Sequence, residues 1–96
     1  MRYQDQRNFH RMAINAEAMV IYADNDEMHK VKAICRDLSA TGLSLEVEKP
    51  IAVGESIEVL IEGVNVKPLD AKAEILRVDE SDNGRVLLGC KITSLT

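Results

Sequence analysis

The chain has 96 residues, of which 46% are apolar and 3% are aromatic. This length suits one domain, and the apolar fraction excludes a chain that is disordered throughout. Two tyrosines and one phenylalanine are too few for the base-stacking surface of a protein that binds single-stranded nucleic acid. The net charge of −4 argues against DNA, RNA or an anionic membrane as the main partner.

Positive charge is concentrated near the N-terminus. Residues 1–16 carry three arginines and one acid, a balance of +2, which leaves −6 for the rest of a chain whose total is −4. A short basic segment on an acidic body favours a local anion site. Residues 1–15 lack strand alternation, so we expect them to form a flexible arm. No apolar run resembles a secretion signal or a membrane span, which indicates a soluble, cytoplasmic protein.

Six strands are predicted after the arm, because apolar and polar residues alternate there with a period of two. Polar turns separate them, among them Asp24–Glu27 and the pair Asn83-Gly84, which is a strong hairpin signal. The predicted strands are Glu17–Ala23, His29–Leu38, Leu43–Glu48, Ser56–Glu62, Leu69–Asp79 and Arg85–Thr93.

The third predicted strand shows this alternation most clearly. Leu43, Leu45 and Val47 are predicted to face the core, and Ser44, Glu46 and Glu48 are predicted to face the other way, toward solvent. No helix is predicted. Six strands joined by short turns indicate an all-β sandwich or barrel, and closure into a barrel would remove the exposed edges of an open sheet. We therefore expect one domain over residues 1–96, with the arm at 1–15 and the barrel at 16–96.

Enzyme chemistry and metal binding find little support in the sequence. Cys35 and Cys90 lie inside apolar strand patterns, so they are predicted to be buried free thiols of a reducing compartment, with a disulfide left open. No CxxC or Cys/His cluster suggests zinc, and we expect no cofactor. No nucleophile and base pair, HExxH or P-loop motif is present.

Two short motifs carry the functional signal. Arg7 and Arg11 form an RxxxR pattern in the arm, and Asp37, Ser39 and Gly42 form a DxSxxG pattern between the second and third strands. Each has an ordinary explanation when taken alone. The arginines suit any solvated arm, while Asp and Ser suit a turn in which they cap backbone N–H groups and the glycine adopts a positive φ.

Together, in this order and spacing, the two motifs resemble the signature of the PilZ domain family. The similarity extends to the segments AKAEILRV at 71–78 and GRVLLGCKI at 84–92, which resemble the closing hairpin of that family. The resemblance implies a six-stranded antiparallel β-barrel that binds the bacterial second messenger cyclic di-GMP. Many family members add a helix after the last strand. The chain ends at Thr96 instead, so we expect a partner or a second copy to cover part of the barrel.

The chemistry of cyclic di-GMP suits the residues that the resemblance assigns to it. Arg7 and Arg11 are expected to contact the phosphates and the O6/N7 edge of guanine, since arginine binds both bidentately. Asp37 and Ser39 are expected to accept hydrogen bonds from guanine N1–H and N2–H₂. Gly42 would leave room for the base. Arg77 matches a family position that lies against a guanine face, or is an exposed strand arginine.

We therefore predict a receptor and adaptor that changes conformation on binding cyclic di-GMP and signals to a partner protein of unknown identity. An alternative is a protein-interaction adaptor on the same fold that binds no nucleotide. A small RNA-binding barrel is a third interpretation, which the net charge and the scarcity of aromatic residues disfavour.

Overall fold

The structure is a computed structural model that describes residues 12–62, 68–81 and 83–95, with side chains from residue 14 onward. These ranges contain six strands and no helix, and therefore no helix long and apolar enough to cross a membrane. The strands are β1 Met12–Asp24, β2 Glu27–Leu38, β3 Gly42–Val47, β4 Ser56–Ile61, β5 Leu69–Glu80 and β6 Val86–Leu95.

The six strands form a closed antiparallel barrel in the order β1-β2-β3-β6-β5-β4. Closure depends on β1, which pairs with β2 along its length and with β4 from Ala18 to Tyr22. The prediction of an all-β barrel with six antiparallel strands is thus confirmed. β1 begins at Met12, five residues before the predicted start at Glu17, because Met12 and Ala13 pair with the end of β2. Residues 12–15, which the sequence assigned to the arm, are therefore strand.

The turns follow the local sequence. The β1–β2 hairpin turns on Asn25 and Asp26, whose φ angles of 51° and 67° are both positive. This is the geometry of a type I′ turn, and Asn and Asp are among the few residues that tolerate it. Gly84, with φ of 81°, supplies the same left-handed conformation in the β5–β6 connection, where the sequence predicted a hairpin.

The interior of the barrel is filled by aliphatic side chains and two thiols. Its largest fully enclosed members come from all six strands, so each strand contributes to one continuous core. They are Val20, Cys35, Leu43, Leu45, Val47, Val59, Ile75 and Leu88.

Register shifts interrupt the regular strand pairing at four places in the described residues, and two of these β-bulges decide which side chains reach one part of the outer face. The pairing of β2 with β3 shifts register at Arg36, and that of β5 with β6 shifts at Leu76. Strict alternation would place Asp37 on the same interior face as Cys35. The extra residue at Arg36 instead turns Asp37 to the outside of the barrel.

The two cysteines are buried free thiols, as predicted, and both are held in the protonated form. Burial, together with the nearby charge of Asp37, raises the pKa of Cys35 to about 11. Burial also raises the pKa of Cys90 to about 12. Since the thiolate is the reactive form, neither side chain is poised for chemistry at neutral pH.

We therefore expect both thiols to resist labelling by an aromatic disulfide reagent in the folded protein at pH 8. Both should react within the mixing time once denaturant is added, because unfolding exposes them and lowers their pKa values toward the usual range. The absorbance of the released thiolate reports the number of reacted cysteines. Fast labelling of either cysteine in native buffer would contradict this account of the core.

Candidate ligand-binding site

A row of four residues crosses the outer face of strands β2, β3, β6 and β5. Asp37 pairs with Ser44, Ser44 with Gly89, and Gly89 with Arg77. Residues directly opposite one another in antiparallel strands point to the same face, so the row forms one continuous strip. The strip contains two residues that the sequence predicted as ligand contacts, Asp37 and Arg77, although they are 40 positions apart.

Asp37 is held in place by a serine that neither sequence motif includes. The hydroxyl of Ser44 lies 3.1 Å and 3.0 Å from the two carboxylate oxygens of Asp37 and donates to them. Ser44 is 6% exposed, so the prediction that it faces solvent is wrong. Its side chain lies on the outer face of the barrel, between its pairing partners Asp37 on β2 and Gly89 on β6. A buried hydroxyl that orients a half-exposed carboxylate makes Asp37 a preorganised hydrogen-bond acceptor.

Ser39 closes the turn between β2 and β3. Its backbone N–H donates to the carbonyl of Gly42 at 2.8 Å, and its hydroxyl lies 3.2 Å from both that carbonyl and the N–H of Gly42. This arrangement agrees with the turn-capping explanation of the DxSxxG pattern. It also sets the path of the chain directly after Asp37, and so helps to fix where that carboxylate lies.

Gly42 serves close packing instead of turn geometry. The glycines with positive φ in the described part of the chain are Gly54 and Gly84, so the prediction of a positive φ at Gly42 is wrong. A Cβ atom at Gly42 would lie 2.9 Å from the carbonyl oxygen of Cys90, a distance that real Cβ atoms do not reach. The residue must therefore be glycine for β3 to approach β6 at the beginning of β3.

Gly89 keeps the strip flat between Ser44 and Arg77. The position of its missing side chain lies 3.6 Å from both Cβ and a terminal guanidinium nitrogen of Arg77, so the arginine lies alongside it. The Nε atom of Arg77 binds a carboxylate oxygen of Asp79 at 2.7 Å, while 70% of the arginine side chain remains exposed. Arg77 thus presents a guanidinium plane beside an open stretch of backbone.

A buried carboxylate lies next to the strip. Glu46 is 6% exposed and contacts two arginines, although the alternation of its strand predicted that it faces solvent. Nε of Arg36 donates to Glu46 at 2.8 Å, and Nε of Arg85 lies 2.7 Å from its other oxygen. Hydrogen bonds from Arg36 lower the pKa of Glu46 most, and Asn83 and the charges of both arginines lower it further. The two positive charges explain why this carboxylate remains ionised with so little exposure.

The same contacts connect four parts of the barrel. The Nη1 atom of Arg36 donates to the side-chain oxygen of Asn15 in β1 at 2.6 Å. The Arg36–Glu46–Arg85 cluster thereby links β1, β2 and β3 to the β5–β6 turn. Because Arg36 directly precedes Asp37, the cluster also restrains one end of the strip.

The predicted RxxxR residues, Arg7 and Arg11, lie outside the described residues. The described chain nevertheless starts at the strip, because Ala13 pairs with Asp37 and Met12 pairs with Leu38. Arg11 immediately precedes Met12 in the sequence. The first described residues of the chain therefore lie beside the strand end that carries Asp37.

Replacing Glu46 by Gln is expected to destabilise the fold by about 1–3 kcal/mol at pH 7, because two arginines lose their counter-charge. The loss is smaller than that for a fully buried pair, since 40% of the Arg36 side chain and 30% of the Arg85 side chain are exposed. The pKa of Glu46 is lowered below 4.5 in the folded state, so its contribution is present above the unfolded pKa and is lost as pH falls through the folded value.

Urea denaturation of wild type and Glu46→Gln from pH 7 to pH 3 tests this. The difference between the two free energies of unfolding should narrow as pH falls below the unfolded pKa of Glu46. Glu48→Gln is the matched control, because Glu48 is 81% exposed and lies 4.0 Å from Arg85. An equal effect of both substitutions, or a difference in unfolding free energy that does not narrow at all between pH 7 and pH 3, would contradict a stabilising role of the Arg36–Glu46–Arg85 cluster.

Comparisons with known proteins agree with this architecture. The family model described as PilZ domain matches residues 5–96. No curated protein matches the sequence. Among solved structures, the "PilZ domain with c-di-GMP of YcgR from Escherichia coli" is similar at 15% identity and a TM-score of 0.75, with 94% of this chain and 79% of that chain covered.

Two further structures have the same fold. The Bacillus subtilis inhibitor of motility MotI/DgrA is 13% identical with a TM-score of 0.73, covering 97% of this chain and 45% of that one. MrkH of K. pneumonia in its apo state is 14% identical with a TM-score of 0.67, covering 96% and 44%. The chain thus spans less than half the length of these two proteins. The family model extends over almost all of the chain, so the chain belongs to the PilZ domain family.

Proposed function

We propose that the chain is a cyclic di-GMP receptor that binds its ligand on the strip Asp37–Ser44–Gly89–Arg77. The observation that carries the proposal is the pair of bulges, which turn Asp37 and Arg77 to the same outer face with a flat glycine between them. The family membership supports it. So does the YcgR structure, whose PilZ domain is described with c-di-GMP.

Each end of the strip suits a different part of a guanine base. The carboxylate of Asp37 accepts hydrogen bonds, which complements the N1–H and N2–H₂ donors of the base. The exposed guanidinium of Arg77 offers a plane on which the base stacks. Ser39 contributes by closing the turn after Asp37, and Gly42 contributes by letting β3 approach β6 closely. Arg7 and Arg11 bind phosphate oxygens and the O6/N7 edge of guanine from the arm.

Binding, and not catalysis, is the output in this proposal. Ligand bound between the arm and the strip changes the surface that a partner protein meets. The partner is a protein of unknown identity in the cytoplasm. One of the similar structures is described as an inhibitor of motility, which is consistent with a domain that acts on other proteins.

A nucleotide-free adaptor is the second candidate, and one observation favours it. Arg77 already forms an ion pair with Asp79 at 2.7 Å, and Asp37 already accepts from Ser44. The strip is therefore electrostatically satisfied without a ligand. Under this interpretation the same face would contact a protein directly, and titration with cyclic di-GMP would produce no heat.

Calorimetric titration of the pure protein with cyclic di-GMP, GTP and a short RNA tests the proposal. We expect binding of cyclic di-GMP alone. Arg7→Ala and Arg11→Ala should each weaken it by about 10²-fold or more, since each removes two charge-assisted hydrogen bonds of roughly 1.5–3 kcal/mol. Arg2→Ala is the matched control, because it removes the same charge outside the motif. Unchanged affinity in either motif variant would exclude that arginine from the binding site. The absence of cyclic di-GMP binding by the wild type would favour the nucleotide-free adaptor.

Asp37→Asn is expected to reduce discrimination for guanine as well as affinity. The amide replaces one acceptor by a donor, so the N1–H and N2–H₂ groups of guanine lose a partner. Affinities for cyclic di-GMP and cyclic di-AMP should converge in this variant. Ser44→Ala is the control, because it leaves the carboxylate but loosens its orientation, and we expect a smaller loss with discrimination retained. An equal loss for both ligands in Asp37→Asn would contradict the assigned role.

A further inference from the structure

A second outer face of the barrel, formed by β4, β1 and β2, carries an apolar stripe along its middle. Met19 and Ile21 of β1 point outward, because their neighbours Ala18 and Val20 are buried in the core. In register, Met19 lies beside Leu60 of β4. Met19, Ile21 and Leu60 are each partly exposed, so this stripe keeps contact with solvent.

Opposite charges lie on the two sides of the stripe. On the β2 side, Lys30 pairs with Ile21 and Lys32 pairs with Met19, and both lysines are exposed. On the β4 side, Glu58 pairs with Ile21. Each row of paired residues across the face therefore has a lysine on β2 and an apolar residue on β1, and it continues toward acidic residues on the β4 side.

The acidic side is a pair of carboxyl groups. Asp70 of β5 pairs with Leu60 and is hydrogen-bonded to Glu58, and this bond and the charge of Asp70 raise the pKa of Glu58. Lys72, which pairs with Glu58 from the far side, lowers that pKa only in part. A further cation placed over these carboxyl groups would reduce their mutual repulsion.

The free edge of β2 is poorly suited to pair with the same edge of a second copy of the chain. Pairing of β2 with β3 begins only at Ile34, so within the described residues the segment from Glu27 to Ala33 pairs with β1 alone. Antiparallel pairing of two such edges about a two-fold axis would bring Lys30 and Lys32 close to the same lysines of the other copy. Like charges in register destabilise a sheet, and edge lysines are a common device against such pairing.

We propose that the outer face of β4, β1 and β2 binds the same face of a second copy of this chain, around a two-fold axis that runs along β1. This axis exchanges the two sides of the stripe, so Lys30 of each copy lies over Glu58 of the other. Lys32 packs its methylene stem on Leu60 of the second copy and reaches toward Asp70. Ile21 and Met19 pack against the same residues of the other β1.

The arrangement is self-complementary, as an isologous dimer requires. Sheets packed face to face keep their strands roughly aligned, which this axis permits. The outer face of a barrel is convex, so the contact is smaller than a standard stable interface, and a weak, concentration-dependent dimer is the expected form. The proposed ligand strip lies on β2, β3, β6 and β5, so the dimer leaves it open and does not depend on nucleotide binding.

Sedimentation velocity over a range of concentrations tests the proposal. The wild-type average mass should rise with concentration from 10.7 kDa toward twice that value. Lys30→Glu combined with Lys32→Glu should weaken the dimer at least about tenfold, and so should Glu58→Lys combined with Asp70→Lys, because each places like charges opposite one another. An equimolar mixture of these two double variants should form a heterodimer, since every pair across the axis is then complementary again.

Lys49→Glu combined with Lys91→Glu is the matched control. Both lysines are exposed outside the stripe, and the variant has the same net charge as the first double variant. It should dimerise like wild type, and its heterodimer with the Glu58→Lys, Asp70→Lys variant should be weaker than that of the first double variant, because only half of the pairs across the axis are then complementary. Circular dichroism establishes that each variant is folded. A wild-type mass that stays at the monomer value overturns the proposal. So does a dimer that neither charge reversal weakens, or a mixture of the two reversed variants that remains monomeric.

Discussion

Closure of the barrel through the pairing of β1 with β4 is the constraint on which the rest of the structure depends. Without it, both strands would be edges and the aliphatic interior would be open on one side. Closure gives every strand two neighbours over at least part of its length and separates side chains into an inner and an outer set. Val20 and Val59 face one another across this pair, and both are fully buried.

The candidate ligand-binding side chains lie outside the barrel, so alternation alone is not sufficient to place them. Cys35 and Ile75 are interior residues, and strict alternation would send Asp37 and Arg77 inward as well. One bulge in β2 turns Asp37 to the outside of the barrel, and one in β5 does the same for Arg77. They occur at the two ends of the same row, so the two side chains reach one surface with Ser44 and Gly89 between them.

The two outer faces differ in the contacts that their side chains make. The face of β2, β3, β6 and β5 is polar and internally bonded. There Ser44 orients Asp37, and two arginines neutralise Glu46. A preorganised polar surface of this kind suits a small ligand with many hydrogen-bonding groups. The face of β4, β1 and β2 has apolar side chains between opposite charges, which suits a protein surface.

The sequence by itself determined the fold class, the six strands in order, the β1–β2 and β5–β6 turns and the aliphatic core. These features depend on a period of two and on turn residues, which are local properties. The DxSxxG motif is a local pattern as well, and together with RxxxR and the family resemblance it marked Asp37 as a candidate ligand residue.

Only the tertiary structure decided the surroundings of Asp37. Ser44 and Glu46 alternate with core residues and were assigned to solvent, but both are buried: Ser44 is bonded to Asp37 of β2, and Glu46 contacts two arginines outside β3. Gly42 belongs to a turn motif, and its glycine is required by the carbonyl of Cys90 on another strand. These contacts join residues far apart in the chain through register shifts and barrel closure. No local pattern records them, because register is a property of paired strands and not of one strand.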